Sequence, residues 1–413
     1  MNHKAPISMV VLSHASLSLL LSVFFLLFQL GFPSFFNLSD TGGKLGDFIF
    51  NWQFYSETYS VDVKNRKDAW LHYMQYGLQK GYLSHSGHKV MKVVLMTRNE
   101  WPLIKSWLLY HGHLLGFENL YIIDGSTDTR VIQFLKQSVS NVGVNVYFSK
   151  SNLVDLTKEI NDAFFRLRHT CDFLIKLDTD EFLSIYNATG DRSISIKRDD
   201  FASYLDSLPY DGHKYRVTYT ALNKLNVSSF HCSNFSNVCI DSVHFTDIFV
   251  WSMMGKTFFP SWTFKAVDLG GHSGKVSVDS PLSSTSIPKF LRSKDVEYQT
   301  NLAVLHFHNL CFENYLREVV TVLISENYIE QNQTSDERIA ALQKVQSCRK
   351  CKHPSHHKYE WYMKYLADPN RTQEEYKKSI TTASFAPNGI NFSSLSLSDL
   401  VRQLQIEYDN TYT

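Results

Sequence analysis

Residues 173–181 read FLIKLDTDE, a β-favouring run that passes directly into a cluster of carboxylates. The run from Phe173 to Leu177 predicts a buried strand, because short, largely apolar runs are typical of strands covered on both faces. Asp178 and Asp180 follow two residues apart, and two carboxylates held so close are unfavourable unless a cation compensates their charge. Hard cations such as Mg²⁺ and Mn²⁺ take oxygen ligands and bridge to phosphates. The stretch therefore predicts a divalent cation at the end of a strand.

The chain before this stretch alternates between strand and helix patterns. Strands are predicted at 90–96, 120–123 and 144–148, and helices at 103–115, 131–135 and 156–167. This alternation implies an α/β fold with a parallel sheet, in which ligand sites gather at the carboxyl ends of the strands. Two of those ends carry polar clusters, at 97–100 and 124–128. We expect both clusters to share one rim of the sheet with Asp178 and Asp180.

The D-x-D pair has two other interpretations. Such pairs also occur in solvated turns, where the aspartates cap backbone amides. A strand followed by D-x-D also opens haloacid-dehalogenase-type phosphotransferases, in which the first Asp is the nucleophile. Those enzymes place the motif on the first core strand and require Thr or Val where this chain has Phe182. Because the motif here follows three predicted strands, we favour a site for a nucleotide diphosphate and its metal.

A longer part of the chain resembles a known group of enzymes. Six segments resemble the conserved opening of glycosyltransferases of the family-2-like and family-92 (DUF23) group: 96–101 (MTRNEW), Trp107, His111, 115–117 (LGF), 121–124 (YIID) and 126–128 (STD). DTDEF at 178–182 resembles the DxDEF of that group, and 256–272 and 305–315 fit less tightly. The likeness covers about Val90 to Tyr315, and its joint spacing is more specific than any single motif. It departs from the group at Arg98, Gly125, Phe307 and Cys311, none of which removes a carboxylate.

The resemblance implies a GT-A, Rossmann-like transferase domain that uses a UDP- or GDP-linked sugar and Mn²⁺ or Mg²⁺. On this basis the residues expected to bind the nucleotide sugar are Thr97, Glu100, Asp124, Asp128, Asp178 and Glu181, and the expected metal ligands are Asp178, Asp180 and His306. A lone histidine is more often structural, and Glu100 could equally favour a helix start. The catalytic base that an inverting reaction needs is not distinguishable among Asp241, Asp247, Asp268 and His272.

The first part of the chain predicts a membrane anchor. No Asp, Glu, Lys or Arg occurs between Lys4 and Asp40, and the apolar run 7–32 exceeds the ~20 residues that span a bilayer. The positive-inside rule then places residues 1–6 in the cytosol and the body in the lumen, as in a type II protein of the Golgi or a related membrane. Residues 33–47 are predicted to form a short stem. A cleaved signal peptide is the alternative, because serines interrupt the run.

Two weaker features are consistent with a lumenal body. Sequons for N-glycosylation start at Asn37, Asn187, Asn226, Asn234, Asn332, Asn370 and Asn391. The six cysteines form an even set that an oxidising lumen could pair, and Cys232 with Cys239 is the preferred bridge. Cys348 and Cys351 lie near histidines, but their spacing favours a disulfide or free thiols over a zinc site.

Composition and charge limit the class of protein. A chain of 413 residues with 44% hydrophobic and 20% charged residues can bury a large core. Its 41 Lys and Arg against 40 Asp and Glu give a formal charge of +1, which argues against a nucleic-acid partner. Around a GT-A domain at 87–325 we predict a small aromatic helical element at 48–86 and a mostly helical C-terminal extension at 326–413.

The function expected from these features is metal-dependent transfer of a sugar from a nucleotide-sugar donor to a glycan acceptor on protein or lipid in the secretory-pathway lumen. The alternative is a catalytically inactive, membrane-anchored relative that binds glycans or scaffolds other transferases. Clustered carboxylates favour the enzyme, because an inactive relative gains nothing from holding like charges together.

Overall fold

The structure is a computed structural model, and it describes residues 50–77, 80, 82–101, 103–150, 153–168, 170–189, 192–209, 213–224, 244–245, 249–250, 255–276, 297–307, 312–325, 327–347, 356–382, 391–392 and 396–412. All of these residues belong to one compact unit, Gly43–Thr413. The predicted tail, anchor and stem at 1–47 lie outside the described residues, as do the predicted Cys232–Cys239 bridge and the Cys348 and Cys351 pair. Within the described ranges, no helix combines the length and the apolarity needed to cross a bilayer.

Strands and helices alternate through the first half of the described chain. The strands are β1 (Met91–Thr97), β2 (Leu120–Asp124), β3 (Asn145–Phe148), β4 (Phe173–Leu177), β5 (Glu181–Tyr186), β6 (Ser193–Ser195), β7 (Lys214–Arg216), β8 (Tyr219–Lys224), β9 (His244–Phe245), β10 (Phe249–Val250), β11 (Thr257–Pro260), β12 (Phe264–Val267), β13 (Gly274–Val276), β14 (Glu297–Gln299), β15 (Leu302–His306) and β16 (Asn391–Phe392). The helices are α1 (Trp52–Thr58), α2 (Arg66–His72), α3 (Leu103–Leu115), α4 (Thr129–Val142), α5 (Leu153–Leu167), α6 (Arg198–Ser207), α7 (Phe312–Ser325), α8 (Ser335–Ser347), α9 (His356–Ala367), α10 (Pro369–Thr382) and α11 (Leu397–Tyr412).

The central sheet confirms the predicted α/β fold with a parallel core. Its order within the described residues is β14-β7-β11-β4-β1-β2-β3, and β4, β1, β2 and β3 run parallel. β1 lies between β4 and β2, with Thr97 paired to Asp124 of β2 and Leu95 paired to Leu177 of β4. Because parallel neighbours end at the same edge, the polar residues after β1, β2 and β4 lie along one rim.

A second sheet forms the other wall of the site. Its order in the described part of the chain is β10-β8-β15-β5-β6-β16, with β9 paired to β8. β5 begins directly after the turn that ends β4 and pairs antiparallel with β15, so that Glu181 lies opposite His306. The turn at 178–180 therefore joins the two sheets, and His306 is brought to it by strand register.

The aromatic element before β1 is helical and packs into the main core. Phe50, Tyr55 and Tyr73 are fully buried and belong to the same hydrophobic cluster as Trp107 of α3. The Tyr55 hydroxyl is 2.8 Å from Nδ1 of His72, which links α1 to α2. The aromatic residues of 50–73 thus serve packing, and no chemistry is apparent from their contacts.

The last helix is part of the core, which the sequence pattern did not predict. α11 packs against α3, where Lys105 Nζ lies 2.6 Å from Asp409 Oδ1 and Gln405 Nε2 donates to Ser106 Oγ at 3.0 Å. The short strand β16 also joins the second sheet beside β6. Helices α7 to α9 share a smaller apolar cluster that includes Val319, Leu342 and Tyr362.

Cys171 bears on the expectation that the six cysteines could all pair as disulfides. Cys171 is a free thiol, fully buried before β4, and burial raises the pKa of this thiol well above its usual value. The possible pairing of all six cysteines is therefore not realised, and Cys171 acts as a small apolar core residue.

A buried ion pair ties the loop after the aromatic element to the central sheet. His85 Nε2 lies 2.9 Å from Asp172 Oδ2, which also accepts a hydrogen bond from the Val90 backbone at 2.7 Å. Burial lowers the pKa of His85, but the hydrogen bond and charge of Asp172 outweigh it and leave the pKa above its ordinary value.

We therefore predict that the pair stabilises the protein most at acidic pH. Because the folded-state pKa of His85 exceeds its unfolded value, the contribution is complete below the unfolded pKa, about 6.5. It is lost as pH rises through the folded pKa. His85→Gln should lower the free energy of unfolding by about 1.5–3 kcal/mol at pH 5.5 and by less at pH 9, measured by urea denaturation.

The control is His88→Gln, since the exposed His88–Asp206 pair should contribute only about 0–1 kcal/mol. Equal losses at both pH values for His85→Gln would contradict the prediction.

Candidate active site

Asp124, the last residue of β2, is a buried carboxylate in which only one of the two oxygens accepts a hydrogen bond from the described residues. Its Oδ1 accepts hydrogen bonds from the backbone N and the hydroxyl of Ser126, at 3.1 and 2.5 Å. Its Oδ2 is buried and has no hydrogen-bond partner among the described residues. Burial raises the pKa of Asp124, and the bonds from Ser126 oppose that shift only in part. An unsatisfied buried acceptor is rare in folded proteins, and it is the type of group that a ligand donor satisfies.

Asn99 connects the end of β1 to the end of β2, a role that the sequence prediction of the site does not include. Its Oδ1 accepts hydrogen bonds from the backbone N of Thr127 at 2.7 Å and of Asp128 at 2.8 Å, and its own N donates to Ser126 Oγ at 2.7 Å. Asn99 has φ of 59°, in the left-handed region where Asn is enriched among non-glycine residues. The available signal was an Asn two residues after the end of a strand, a residue type that favours such a turn.

Glu100 connects the end of β1 to the turn after β4. Its Oε2 accepts hydrogen bonds from Thr97 Oγ1, at 2.7 Å, and from Thr179 Oγ1. Gly125 N also donates to Thr97 O at 3.0 Å. The three strand ends that the sequence predicts to share a rim are thus joined by direct hydrogen bonds.

Asp178 is held by two buried lysines that the sequence motifs do not assign to the site. Its Oδ1 accepts from Lys176 Nζ and its Oδ2 from Lys256 Nζ, the latter at 2.6 Å. Both lysine side chains are 1% exposed, whereas that of Asp178 is 38% exposed. Burial raises the pKa of Asp178, but the two ammonium groups outweigh burial and lower it well below its usual range. The carboxylate is therefore ionised and already compensated.

Glu181 is fixed by the same turn and by α3. Its Oε2 lies 2.9 Å from Lys256 Nζ and accepts from the backbone N of Asp178 at 2.8 Å. Burial is the main reason why the pKa of Glu181 is raised. The Glu181 carbonyl accepts from Trp107 Nε1 at 3.0 Å, so the helix directly positions the start of β5.

His111, part of the resemblance motif, is structural. The Leu183 backbone N donates to His111 Nε2 at 3.2 Å, which leaves the proton on Nδ1 to bond the Trp107 carbonyl at 3.0 Å. Burial lowers the pKa of His111 to about 3. The imidazole is therefore neutral and holds α3 against β5.

Asp180 and His306 meet on the cavity side of the turn. His306 Nε2 lies 3.1 Å from Asp180 Oδ2, and Phe307 N donates to the Asp180 carbonyl at 2.7 Å. Burial lowers the pKa of His306, but the charge of Asp180 outweighs it and raises the pKa to about 9. The two side chains form an ion pair at the point where the turn after β4 meets the end of β15.

Part of this set lines a cavity of about 220 Å³, whereas Asp124 and Lys176 do not. Its wall includes four carboxylates and three basic side chains, which are Glu100, Asp178, Asp180, Glu181, Lys256, His272 and His306. Lys256 and His306 therefore offset part of the negative charge of the four carboxylates.

The predicted metal ligands fit a divalent cation unequally. The Asp180 carboxylate is a suitable donor for Mn²⁺, and so is the His306 imidazole once it has lost the proton that it holds in the ion pair. Both oxygens of Asp178 instead contact ammonium groups. Within the described residues, no group of three or more His, Cys, Asp or Glu side chains is arranged to hold a metal ion. The protein itself thus offers a pair of donors rather than a triad.

The remaining candidates lie in different places. Asp128 caps α4 and bonds Arg130, with Oδ2 2.6 Å from Nη2, and it does not line the cavity. Asp268 accepts from the backbone N of His272 at 2.9 Å. His272 lines the cavity, and its Nδ1 has no hydrogen-bond partner among the described residues. Burial lowers the pKa of His272. Asp241 and Asp247 lie outside the described residues.

Comparison with known proteins gives limited likeness. No family model matches the chain, and no curated protein matches it significantly. Solved structures that align with it include TarS of S. aureus, at 11% identity over 78% of this chain with a TM-score of 0.28. A mannosyltransferase from Pyrobaculum calidifontis in complex with GDP-Man and Mn²⁺ aligns at 13% identity over 78% of this chain and 81% of its own, with a TM-score of 0.26.

A third structure is TarS 1-349 of S. aureus in complex with UDP-GlcNAc, at 8% identity over 74% of this chain and 100% of its own, with a TM-score of 0.29. The chain spans 54% of the length of the first TarS structure. Likeness at this level assigns neither a family nor an activity to this chain, so its function has to be inferred from the geometry of the site.

The unpartnered oxygen of Asp124 predicts that removing its charge stabilises the free protein. The folded-state pKa is raised, so the penalty is present above that pKa and disappears as pH falls below the unfolded value. Asp124→Asn should raise the free energy of unfolding by up to about 1 kcal/mol at pH 7, since a neutral amide is less unfavourable than a buried charge. The gain should vanish near pH 3. Urea denaturation at both pH values measures it.

Asp128→Asn provides a control of opposite sign. The Arg130 side chain, through its hydrogen bond, lowers the pKa of Asp128, so removal of this charge should leave stability unchanged or reduce it by up to about 1 kcal/mol. A loss of more than about 1 kcal/mol for Asp124→Asn at pH 7 would show that the buried oxygen has a partner in the folded protein.

Proposed function

We propose that the protein is a glycosyltransferase that moves a sugar from a UDP- or GDP-linked donor to a glycan acceptor on protein or lipid, with Mn²⁺ or Mg²⁺ as cofactor. The observation that carries the proposal is the unpartnered carboxylate oxygen of Asp124 on the same sheet rim as the Asp180–His306 pair. The rim offers one site for a nucleoside and another for a cation-bound diphosphate.

The spacing of the rim supports a nucleoside diphosphate. β1 lies between β2 and β4, so the ends of β2 and β4 are about two strand spacings, roughly 10 Å, apart. This separation is comparable to the distance from a nucleobase to the second phosphate of a nucleotide. A ribose hydroxyl or a base N–H at Asp124 would donate to the Oδ2 that the protein leaves without a partner.

Asp180 and His306 would hold the cation from the protein side. When bound, the cation supplies charge neutralisation for the departing diphosphate. The cavity of about 220 Å³ is smaller than the roughly 300–1,000 Å³ that encloses whole ligands, which suits one sugar ring. Glu181 lines that cavity in a fixed orientation and would accept hydrogen bonds from sugar hydroxyls.

His272 would act at the acceptor side. It is the one of the four candidate bases that lines the cavity within the described residues. The lowered pKa of His272, which burial causes, keeps the imidazole neutral near pH 7, the state that accepts a proton from an attacking hydroxyl.

The alternative function, an inactive glycan-binding or scaffolding relative, gains support from one observation. The carboxylates at the end of β4 are compensated by Lys176, Lys256 and His306. Because the protein supplies these counter-ions itself, clustered carboxylates do not by themselves require a cation. Metal-dependent nucleotide binding separates the two functions.

We predict that the purified chain of 413 residues binds UDP or GDP in the presence of Mn²⁺ and binds it at least about tenfold more weakly in EDTA, as measured by calorimetry. Asp180→Asn should weaken metal-dependent binding by at least the roughly 10–100-fold that even outer residues of a metal site cost. Asp124→Asn should weaken nucleotide binding with or without metal, because it removes an acceptor from the nucleoside.

Asp336→Asn is the matched control, since Asp336 is an exposed carboxylate on α8, and it should bind as the wild type does. The absence of binding to either nucleotide, in a chain that is folded by circular dichroism, would contradict the transferase and favour the inactive relative.

We also propose that residues 7–32 anchor the protein in a secretory-pathway membrane with its body in the lumen. The charge-free apolar run supports this location, as do sequons at Asn332 and Asn370. When the chain is expressed in secretory cells, enzymatic removal of N-glycans should lower its apparent mass. Asn332→Gln and Asn370→Gln should each remove one step of that shift. A mass unchanged by the treatment would place the body outside the lumen.

A further inference from the structure

The turn after β4 contains a carboxylate that faces the cavity and two lysines that lie behind it. Lys176 and Asp178 are two residues apart, and side chains at this spacing share one face of a strand. Lys256 comes from the segment just before β11, the antiparallel neighbour of β4. Each oxygen of Asp178 therefore contacts the ammonium group of an almost completely buried lysine.

Lys256 has a full set of acceptors. Its Nζ lies 2.6 Å from Asp178 Oδ2, 2.9 Å from Glu181 Oε2 and 2.5 Å from the Gly270 carbonyl. An ammonium group has three protons, so all of its donors are used. Lys176, by contrast, has Asp178 as its hydrogen-bond acceptor within the described residues.

The loop over the lysines is built to fit them closely. Gly271 has φ of 70°, and a Cβ at this position would lie 3.0 Å from the Lys176 carbonyl and 3.1 Å from Lys176 Cδ. Thr257 N donates to the Gly271 carbonyl at 2.8 Å, which fixes the loop to β11. A glycine in the left-handed region allows this close approach, so the lysines occupy a formed site.

A cation at Asp178 would have to compete with these lysines. It would lie close to two ammonium groups, and like charges at short range in a buried site repel strongly. Displacing Lys176 would also leave a buried charge without its acceptor, which is strongly unfavourable. Asp180 faces the cavity with His306 as its partner, and a histidine, unlike a buried lysine ammonium, can give up its proton and itself bind a metal.

We propose that Lys176 and Lys256 are the permanent counter-ions of Asp178. Asp178 then positions the turn, and the divalent cation contacts this chain through Asp180 and His306. Lys256 is a positioning residue, because it joins Asp178 and Glu181 at the cavity wall. This inference rests on the proposed function, since it concerns the cation of that reaction.

A charge-matched double variant tests the inference. Asp178→Asn combined with Lys176→Met removes one negative and one positive charge and leaves Lys256 bonded to Glu181 and Gly270. We expect this double variant to bind Mn²⁺ with UDP or GDP within about threefold of the wild type, by calorimetry and by the loss of the free Mn²⁺ electron paramagnetic resonance signal. Asp180→Asn should weaken the same binding by at least about tenfold.

Thermal unfolding provides a readout that separates counter-ions from ligands. Lys176→Met alone should lower the melting temperature, because Asp178 loses one of its two counter-ions, and Mn²⁺ alone should restore part of the loss by binding the freed oxygen. Adding Asp178→Asn should recover stability without Mn²⁺ and abolish the restoration. If Lys176→Met does not fold, the double variant alone decides the question.

Two failures are distinguishable. If the wild-type chain binds neither nucleotide with Mn²⁺, the proposed function fails. If the wild type binds, and the folded double variant loses as much affinity as Asp180→Asn, then Asp178 is a metal ligand and the counter-ion proposal is overturned while the transferase stands.

Discussion

Charge compensation at the turn after β4 is the constraint on which the candidate site depends. Asp178, Asp180 and Glu181 lie within four consecutive residues, and they are mostly or partly buried where two sheets meet. Such a cluster is stable only if nearby cations offset both mutual repulsion and the loss of hydration. Lys256 and His306 supply that compensation from parts of the chain that are distant in sequence, so the turn forms correctly only when both sheets are assembled.

The antiparallel strands of the central sheet therefore also position side chains of the candidate site. β11 pairs with β4 in a register that places Lys256 next to the end of the parallel strand. β15 pairs with β5 in a register that places His306 opposite Glu181. Each pairing thus places a basic side chain next to the turn at 178–180. At the other end of the rim, the partner of Asp124 is local, since its Oδ1 accepts from Ser126, two residues away.

Local sequence patterns were sufficient for the parallel core. Strands such as β1 and β4 are short apolar runs, and α3 has the bounds that its apolar pattern predicts. The three strand-end clusters followed from the general topology of parallel sheets. Contacts set by long-range packing were not predictable: Lys256 lies 78 positions from Asp178, and the docking of α11 on α3 links residues about 300 positions apart.

The role of Lys176, unlike that of Lys256, could have been predicted from the sequence. A lysine inside an otherwise apolar strand conflicts with burial, and such a conflict between local residue type and global position indicates a partner or a function. The period of two in a strand places Lys176 on the same face as Asp178. FLIKLD thus contains a carboxylate and its counter-ion together. Before a D-x-D pair is taken to imply a cation, the charges that the strand and its neighbours already provide should be counted. At this turn Lys176 and Lys256 account for Asp178. Asp180 is left with His306, a partner that can itself bind a metal once it has lost its proton.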